Sequence, residues 1–482
     1  MDLKLTQSTV NKTKQHIQTA QQWDVIVIGA GVVGCAIVRQ LTLNGLKVLL
    51  LERGADILSG ASKANSAILH TGFDAVANSL ELECMRAGYK EYIEIRHKLN
   101  LPLLKTGALL VAWNEQQLSQ LPSIVSKAHE NGSDDVKQID LPDLIKREPN
   151  LSNNALGAVE ISQEYVIDPW SAPLAYVTQA AKAGAQYQFN CEVTDGEFDG
   201  KLWCLETTID KYKAKLVINC SGNNGDIVQS ICETPKFAIK PRKGQFIVFD
   251  KSAYGLVNSI ILPVPTATTK GVVITKTIFG NLLLGPTAEE QQDRYDTSVD
   301  ANILQNLFAC GVKMLPDLEH HGITATYAGL RPATQFKDYQ IEANPSKNWV
   351  GVNGIRSTGL TSALGIAKYV EKLCLENFAD IVPFNNLKDI YWPQMPNLAA
   401  HKPRAFEIGD GTEIICHCEH VTRGQLESAL KSEIAAKSVG GIRRRTRVMM
   451  GRCNGFYCSA KVSELTKGAI SPPQDSDGGK ND

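Results

Sequence analysis

Asp24-Val25-Ile26-Val27-Ile28-Gly29-Ala30-Gly31-Val32-Val33-Gly34 decides the fold of this chain. The β-branched run after Asp24 lacks polar alternation, so it predicts a parallel strand covered on both faces. Three glycines follow at dinucleotide-turn spacing, and the apolar stretch Cys35 to Leu43 continues as a helix. Gly29 permits the tight turn, Gly31 lets backbone amides approach a pyrophosphate, and Gly34 lets the helix pack closely on the strand. A second strand, Lys47 to Leu51, ends in Glu52, which suits a ribose hydroxyl pair. No second GxGxxG pattern occurs, so a separate nicotinamide site is not expected.

The far end holds a second constellation, Cys416-x-Cys418 and Cys453-Asn454-Gly455-Phe456-Tyr457-Cys458. Two close pairs of thiols suit a [2Fe–2S] cluster, in which each iron takes two thiolates. Zinc is the alternative, because Cys416-His417-Cys418-Glu419-His420 also offers imidazoles, although the usual C-x₂-C knuckle is missing. Between the pairs, Thr422-Arg423-Gly424-Gln425 has the form of a capping box and predicts a helix from about Arg423 through Leu430. The run Arg443-Arg444-Arg445-Thr446-Arg447 would either offset the negative charge of a thiolate-ligated cluster or form a solvated basic face.

Residues Ile414 to Val462 resemble the BFD-like [2Fe–2S] domain found at the C-terminus of certain flavin dehydrogenases, and the resemblance places Cys416, Cys418, Cys453 and Cys458 on the ligand positions. The loop Gly60-Ala61-Ser62-Lys63-Ala64-Asn65-Ser66-Ala67-Ile68-Leu69-His70-Thr71-Gly72 resembles that of the D-amino-acid-oxidase-like FAD superfamily, especially the glycerol-3-phosphate and 2-hydroxyglutarate dehydrogenases. Further matches follow in order: Val217 to Gly222, Ala328-Gly329-Leu330-Arg331-Pro332, and Ser357-Thr358-Gly359-Leu360-Thr361-Ser362-Ala363. The resemblance implies FAD contacts at Gly29, Gly31, Gly34, Glu52, Arg53, Ser62, Asn65, Ser66, Val193, Ser221, Gly222, Gly329, Gly359, Leu360 and Thr361. Gly359 to Ser362 open a helix whose positive end would stabilise reduced flavin, which is anionic at its pyrimidine end. Small residues at Ala363, Gly365 and Ala367 allow that helix a close approach to its neighbours.

The expected fold class is α/β: a Rossmann-like FAD-binding domain with an inserted antiparallel substrate sheet, plus a small, mainly α-helical C-terminal iron–sulfur domain. Strand-helix elements near 23–80, 150–225 and 325–375 should form the cofactor layer; Gln245 to Phe249 and Gly271 to Ile274 should lie in the substrate sheet. The expected boundaries are a polar extension over 1–22, the oxidoreductase domain over 23–392, a linker over 393–412, the cluster domain over 413–467 and a disordered tail over 468–482.

For the substrate, Arg331 is where related flavoenzymes hold an anionic group, with a structural salt bridge as the alternative, and Lys243 is a second candidate anion contact. His70 is the candidate base, because oxidising a secondary alcohol by hydride transfer also requires removal of the hydroxyl proton. A histidine merely packed against the isoalloxazine is the alternative role. The loop lacks the tryptophan that accompanies covalent flavin in some relatives, so non-covalent FAD is expected. The expected substrate is a small anionic hydroxy compound, sn-glycerol 3-phosphate first and 2-hydroxyglutarate second. An amine, opine or amino-acid dehydrogenase subunit and a zinc-bound docking platform stay open. Electrons would leave through the cluster to a quinone or a partner redox subunit.

With 482 residues, 43% hydrophobic and a formal charge of −1, the chain can bury large cores, and nothing points to nucleic acid as partner. No apolar run is long enough for a transmembrane segment, and the N-terminus lacks a signal-peptide core. The other cysteines are scattered without a secreted-domain framework, which fits a reducing, cytoplasmic location, peripheral to a membrane if a partner supplies the anchor.

Overall fold

The computed structural model describes residues 21–265, 271–409 and 411–470. The expectations for the first twenty residues and for 471–482 lie outside the described residues. The strand Gln22–Ile28 lies mid-sheet, paired in parallel with Val48–Leu51 on one side and Lys211–Asn219 on the other. Gln186–Gln188 extends the sheet beyond Val48–Leu51.

One edge of Lys211–Asn219 is divided between two partners. Its first half pairs antiparallel with Trp203–Thr207, and its second half pairs parallel with Trp349–Asn353. The period of two then sorts the apolar run between two cores. Val25 and Val27 pack with the helices Val32–Leu43, Ser171–Lys182 and Gly359–Phe378. Ile26 and Ile28 pack with Trp203 and Trp349 on the opposite face. Burial of each such Val or Ile contributes about 1.5–3 kcal/mol.

The helix Gly359–Phe378 crosses Leu80–Ile95 in backbone contact. A Cβ at Gly365 would lie 2.0 Å from the Cys84 carbonyl oxygen, and one at Gly88 would lie 2.1 Å from that of Thr361. This close approach fixes the start of the helix beside the loop that ends at His70.

Among the described residues the second sheet has nine strands. At its centre of interest, Lys240–Phe249 pairs antiparallel with Ile323–Ala333, with Arg242 opposite Arg331 and Gly244 opposite Gly329. The sheet is not wholly antiparallel, because Ile260–Pro263 runs parallel to Ala108–Ala112. Gly157–Ile161 also joins this sheet, pairing with Ala108–Ala112, although the sequence places residues 150–225 in the cofactor layer. The reason is its buried strand run, which finds an antiparallel neighbour before the chain returns to the cofactor layer at Ser171–Lys182.

Residues 393–409 form a strap that buries Met395, Leu398 and Ala399 against the larger domain. The C-terminal domain follows, with a short hairpin (Ile414–Cys416, Val421–Thr422) and helices Arg423–Lys431, Val439–Thr446 and Ser459–Thr466 around Ile415, Val421, Leu426, Ile442 and Val462. The capping box forms as read: Gln425 N–H donates to Thr422 Oγ1 at 3.3 Å, and Thr422 N–H donates to Gln425 Oε1 at 3.1 Å.

Candidate active site

A cavity of about 1480 Å³ opens at the carboxyl ends of the parallel strands, between the two large sheets. Pockets for drug-sized ligands are about 300–1,000 Å³, so this one has room for a dinucleotide and a small substrate. The glycine turn forms one wall. Gly29 has φ +103°, and a Cβ there would sit 2.6 Å from the Cys220 carbonyl oxygen; a Cβ at Gly34 would sit 1.9 Å from that of Gly29. Gly31 instead faces open space apart from Ser62 Oγ at 3.2 Å. Gly31, at the head of the helix Val32–Leu43, brings no side chain to the helix end, and only the first amide, Val32 N–H, is taken by Ser62 Oγ. The helix's positive end is therefore available to a diphosphate.

Glu52 is buried, accepting from Ala30 N–H and Gly54 N–H, each at 2.7 Å. Burial pushes its carboxyl up, and those two amides oppose the rise. Arg53 is exposed and lies 4.7 Å from the Tyr295 ring centroid, and the Tyr295 hydroxyl donates to Asn224 Oδ1 at 3.1 Å. Ser66, Val193, Gly222, Gly359 and Leu360 line the cavity.

Several expected contacts spend their side chains on building the wall. Ser62 Oγ accepts from Val32 N–H at 3.0 Å, Asn65 Oδ1 accepts from Ala67 N–H at 2.8 Å, and Ser221 Oγ donates to Asn219 Oδ1 at 2.6 Å. At Gly329 a Cβ would lie 2.8 Å from the Ala64 carbonyl oxygen, so glycine lets the substrate sheet meet the flavin loop. Thr361 is buried; its Oγ1 accepts from His70 N–H at 3.0 Å and donates to Ile68 O at 3.3 Å. Its hydroxyl thus positions the loop.

His70 lines the cavity with Nδ1 2.8 Å from Glu164 Oε2. Glu164 is fully buried, and its other oxygen accepts from Thr71 N–H at 2.6 Å and Thr71 Oγ1 at 3.0 Å. The sequence reading did not find Glu164. Its position follows from pairing: Ile68 lies opposite Val166 and Leu69 opposite Tyr165, so the next step brings His70 to Glu164. Such a carboxylate fixes the imidazole's orientation and stabilises its cation.

Arg331 also lines the cavity. Its Nη2 donates to Thr287 O at 2.6 Å, and among the described residues it makes no ion pair. Burial, together with the nearby Arg242 cation, pushes its guanidinium down to about 10. Gly244 makes the space: a Cβ there would meet Arg331 Nη2 at 2.9 Å. The structural-salt-bridge role therefore does not describe Arg331.

Lys243 is a correction. Strand alternation turns it away from the cavity between Arg242 and Gly244, and its Nζ donates to Asp296 Oδ2 at 2.8 Å and Ser298 O at 3.0 Å. It anchors the segment containing Arg294, Tyr295 and Thr297, which closes one side of the cavity.

In the C-terminal domain the four cysteines form two mixed pairs by side-chain contact, Cys418 with Cys453 and Cys416 with Cys458. Among the described residues no three His, Cys, Asp or Glu side chains converge on one ion. Four thiols brought together as two neighbouring pairs suit the two irons of a [2Fe–2S] cluster. The amides of Tyr457, Gly455 and Phe456 hold the Cys453 thiol below its usual range, while burial pushes Cys458 up to about 11. Beside them, Phe456 and Tyr457 are 81% and 80% exposed.

The arginine run is not a solvated basic face, because Arg445 and Arg447 are buried. Arg445 makes a buried two-pronged pair with Asp56 of the larger domain, at 2.7 and 2.8 Å. Arg447 pairs with buried Glu419 at 2.9 Å and lies 4.2 Å from the Phe279 ring centroid. Arg444 and Arg445 thus clamp the two domains together, and Arg447 adds its contact with Phe279.

Residues 24–373 match the FAD dependent oxidoreductase family (DAO), and residues 414–467 match the BFD-like [2Fe-2S] binding domain. The chain belongs to the DAO family of FAD-dependent oxidoreductases. It is 33% identical over 457 residues to a glycerol 3-phosphate dehydrogenase of Caloramator mitchellensis, a match covering 92% of this chain and 93% of that protein. It is 28% identical to a glycerol 3-phosphate oxidase of Mycoplasma genitalium, covering 77% of this chain and 100% of the relative. In structure it is similar to the dithionite-reduced, FAD-bound L-α-glycerophosphate oxidase of Mycoplasma pneumoniae, with TM-score 0.73 and 25% identity over 78% of this chain and 100% of that one. FAD and a [2Fe–2S] cluster are its cofactors.

Proposed function

We propose that this oxidoreductase dehydrogenates sn-glycerol 3-phosphate and passes the electrons through its cluster to an acceptor. The observation that carries the reading is the buried Arg331 guanidinium, facing the cavity without a carboxylate of its own. A phosphate there would supply the missing counter-charge in two-pronged geometry. FAD, when bound, supplies the hydride acceptor, and the cluster supplies single-electron transfer.

The chain's own residues do the rest. Arg331 holds the anionic end and so orients the secondary alcohol. His70 takes the hydroxyl proton on Nε2, while Glu164 at Nδ1 stabilises the resulting imidazolium. The same relatives support phosphate over a second carboxylate as the anionic group. The acceptor is a quinone or a partner redox subunit docking near the cluster. No helix among the described residues is long and apolar enough to cross a membrane, and we assign the protein to the cytoplasm, peripheral to the membrane where a partner anchors it.

Turnover with an artificial acceptor tests the reading. sn-Glycerol 3-phosphate should give a far higher kcat/KM than 2-hydroxyglutarate or any amino acid. Preference for either alternative would overturn the substrate assignment.

A further inference from the structure

The cavity described above is not built by the larger domain alone. Lys437, Ser438, Val439, Gly440 and Arg444 of the cluster domain line it, on the side of Gly54, Ala55, Ser59 and Gly60. That side follows Glu52, the acid that suits a ribose hydroxyl pair. We propose that the cluster domain completes the FAD site, with Lys437 and Arg444 binding the anionic AMP half of the cofactor, so that FAD binding and docking of the cluster domain are energetically coupled.

The loop 53–60 is the shared wall. On its cofactor face, Leu58 N–H donates to Ala30 O at 3.0 Å and Gly54 N–H donates to Glu52 Oε1 at 2.7 Å, so the loop fixes both the glycine turn and the ribose acid. On its other face, Asp56 is 1% exposed, and three of its hydrogen bonds come from the cluster domain: two from Arg445 and one from Lys437 N–H at 3.3 Å. Arg444 Nη2 donates to Ile57 O at 3.0 Å, which carries its side chain over the loop to the cavity edge. The fit is tight: a Cβ at Gly441 would lie 1.8 Å from Asp56 Oδ2. Undocking would leave Asp56 without its counter-ion and release the loop that shapes the diphosphate turn.

The diphosphate of FAD carries two negative charges, and Lys437 and Arg444 bring two cations to the wall that follows Glu52. Coupling of two binding events is reciprocal: whatever docking contributes to FAD affinity, FAD contributes to docking. The cluster domain therefore acts as part of the cofactor clamp as well as an electron relay.

The test is FAD titration of apo-flavin protein that keeps its cluster, followed by flavin fluorescence, with iron content measured in parallel. The double variant Lys437→Gln, Arg444→Gln should bind FAD about tenfold or more weakly, within the usual range of coupling, with iron content unchanged. Undiminished affinity in that variant would overturn the proposal. A second measurement needs no variant: iron release from the wild-type full chain to a chelator should be several-fold slower with FAD bound. Equal release rates with and without FAD would overturn the coupling.

Discussion

Replacing Arg331 with leucine separates an anion-binding residue from a structural one, because the two roles predict opposite changes in stability. Its displacement to about 10 corresponds to about 3 kcal/mol of unfavourable energy for keeping the cation in place, at about 1.4 kcal/mol per tenfold change in proton affinity. Breaking a buried ion pair costs about 3–5 kcal/mol, but the one nearby carboxylate that attracts Arg331, Glu289, makes no ion pair with it and keeps its own donors, Gln245 and Thr287. The variant should therefore unfold at the same or a higher temperature than wild type, retaining FAD. Substrate binding should weaken by about 2–5 kcal/mol, the cost of removing one member of a desolvated charge pair, or at least thirtyfold in kcat/KM. Arg331→Lys should recover part of this loss, since an ammonium lacks the planar fork. Thermal melts and steady-state kinetics on the same preparations decide it. A lower melting temperature with unchanged kcat/KM would refute the reasoning.

Glu164→Gln should lower kcat by about 10²–10⁴, because an amide donating to Nδ1 leaves the proton on Nε2, where the base is needed; normal kcat would remove His70 from proton transfer. Gly34→Ala places a methyl 1.9 Å from Gly29 O and should destabilise the turn by about 1–3 kcal/mol or more, with loss of FAD on gel filtration. The cavity-closing segment should respond to acid. Lys243 holds the Asp296 carboxyl down, from 3.8 to about 2, and a depressed carboxylate stabilises the fold above its unfolded value and loses that contribution as pH falls through the folded one. Flavin fluorescence should thus show FAD release steepening between about pH 4 and 2, and Asp296→Asn should flatten that step; an unchanged profile would remove the segment from the cofactor site.

What was legible in the sequence was local. The strand, the glycine turn and Glu52 lie within one stretch whose periodicity and spacing dictate their geometry, as does the Thr422 capping box, whereas the cysteines pair across their two motifs rather than within each. Glu164 was invisible because antiparallel pairing, rather than any motif, brings it opposite His70. The resemblance points to the strand that carries Lys243, but the period of two decides which of its residues face the cavity, and these are Arg242 and Gly244. The arginine run was ambiguous for a related reason: its partner Asp56 lies far away in sequence and is found only once the two domains are packed.

The central claim is that one substrate's electrons pass from the cavity to the C-terminal cysteines. The most direct measurement mixes the oxidised full-length protein with sn-glycerol 3-phosphate without oxygen, following flavin absorbance by stopped flow and the cluster by freeze-quench electron paramagnetic resonance. The account predicts that flavin absorbance bleaches first, and a reduced [2Fe–2S] signal follows in the same protein. Bleaching by glycerol 3-phosphate with a cluster that stays oxidised, or no bleaching at all, would contradict it.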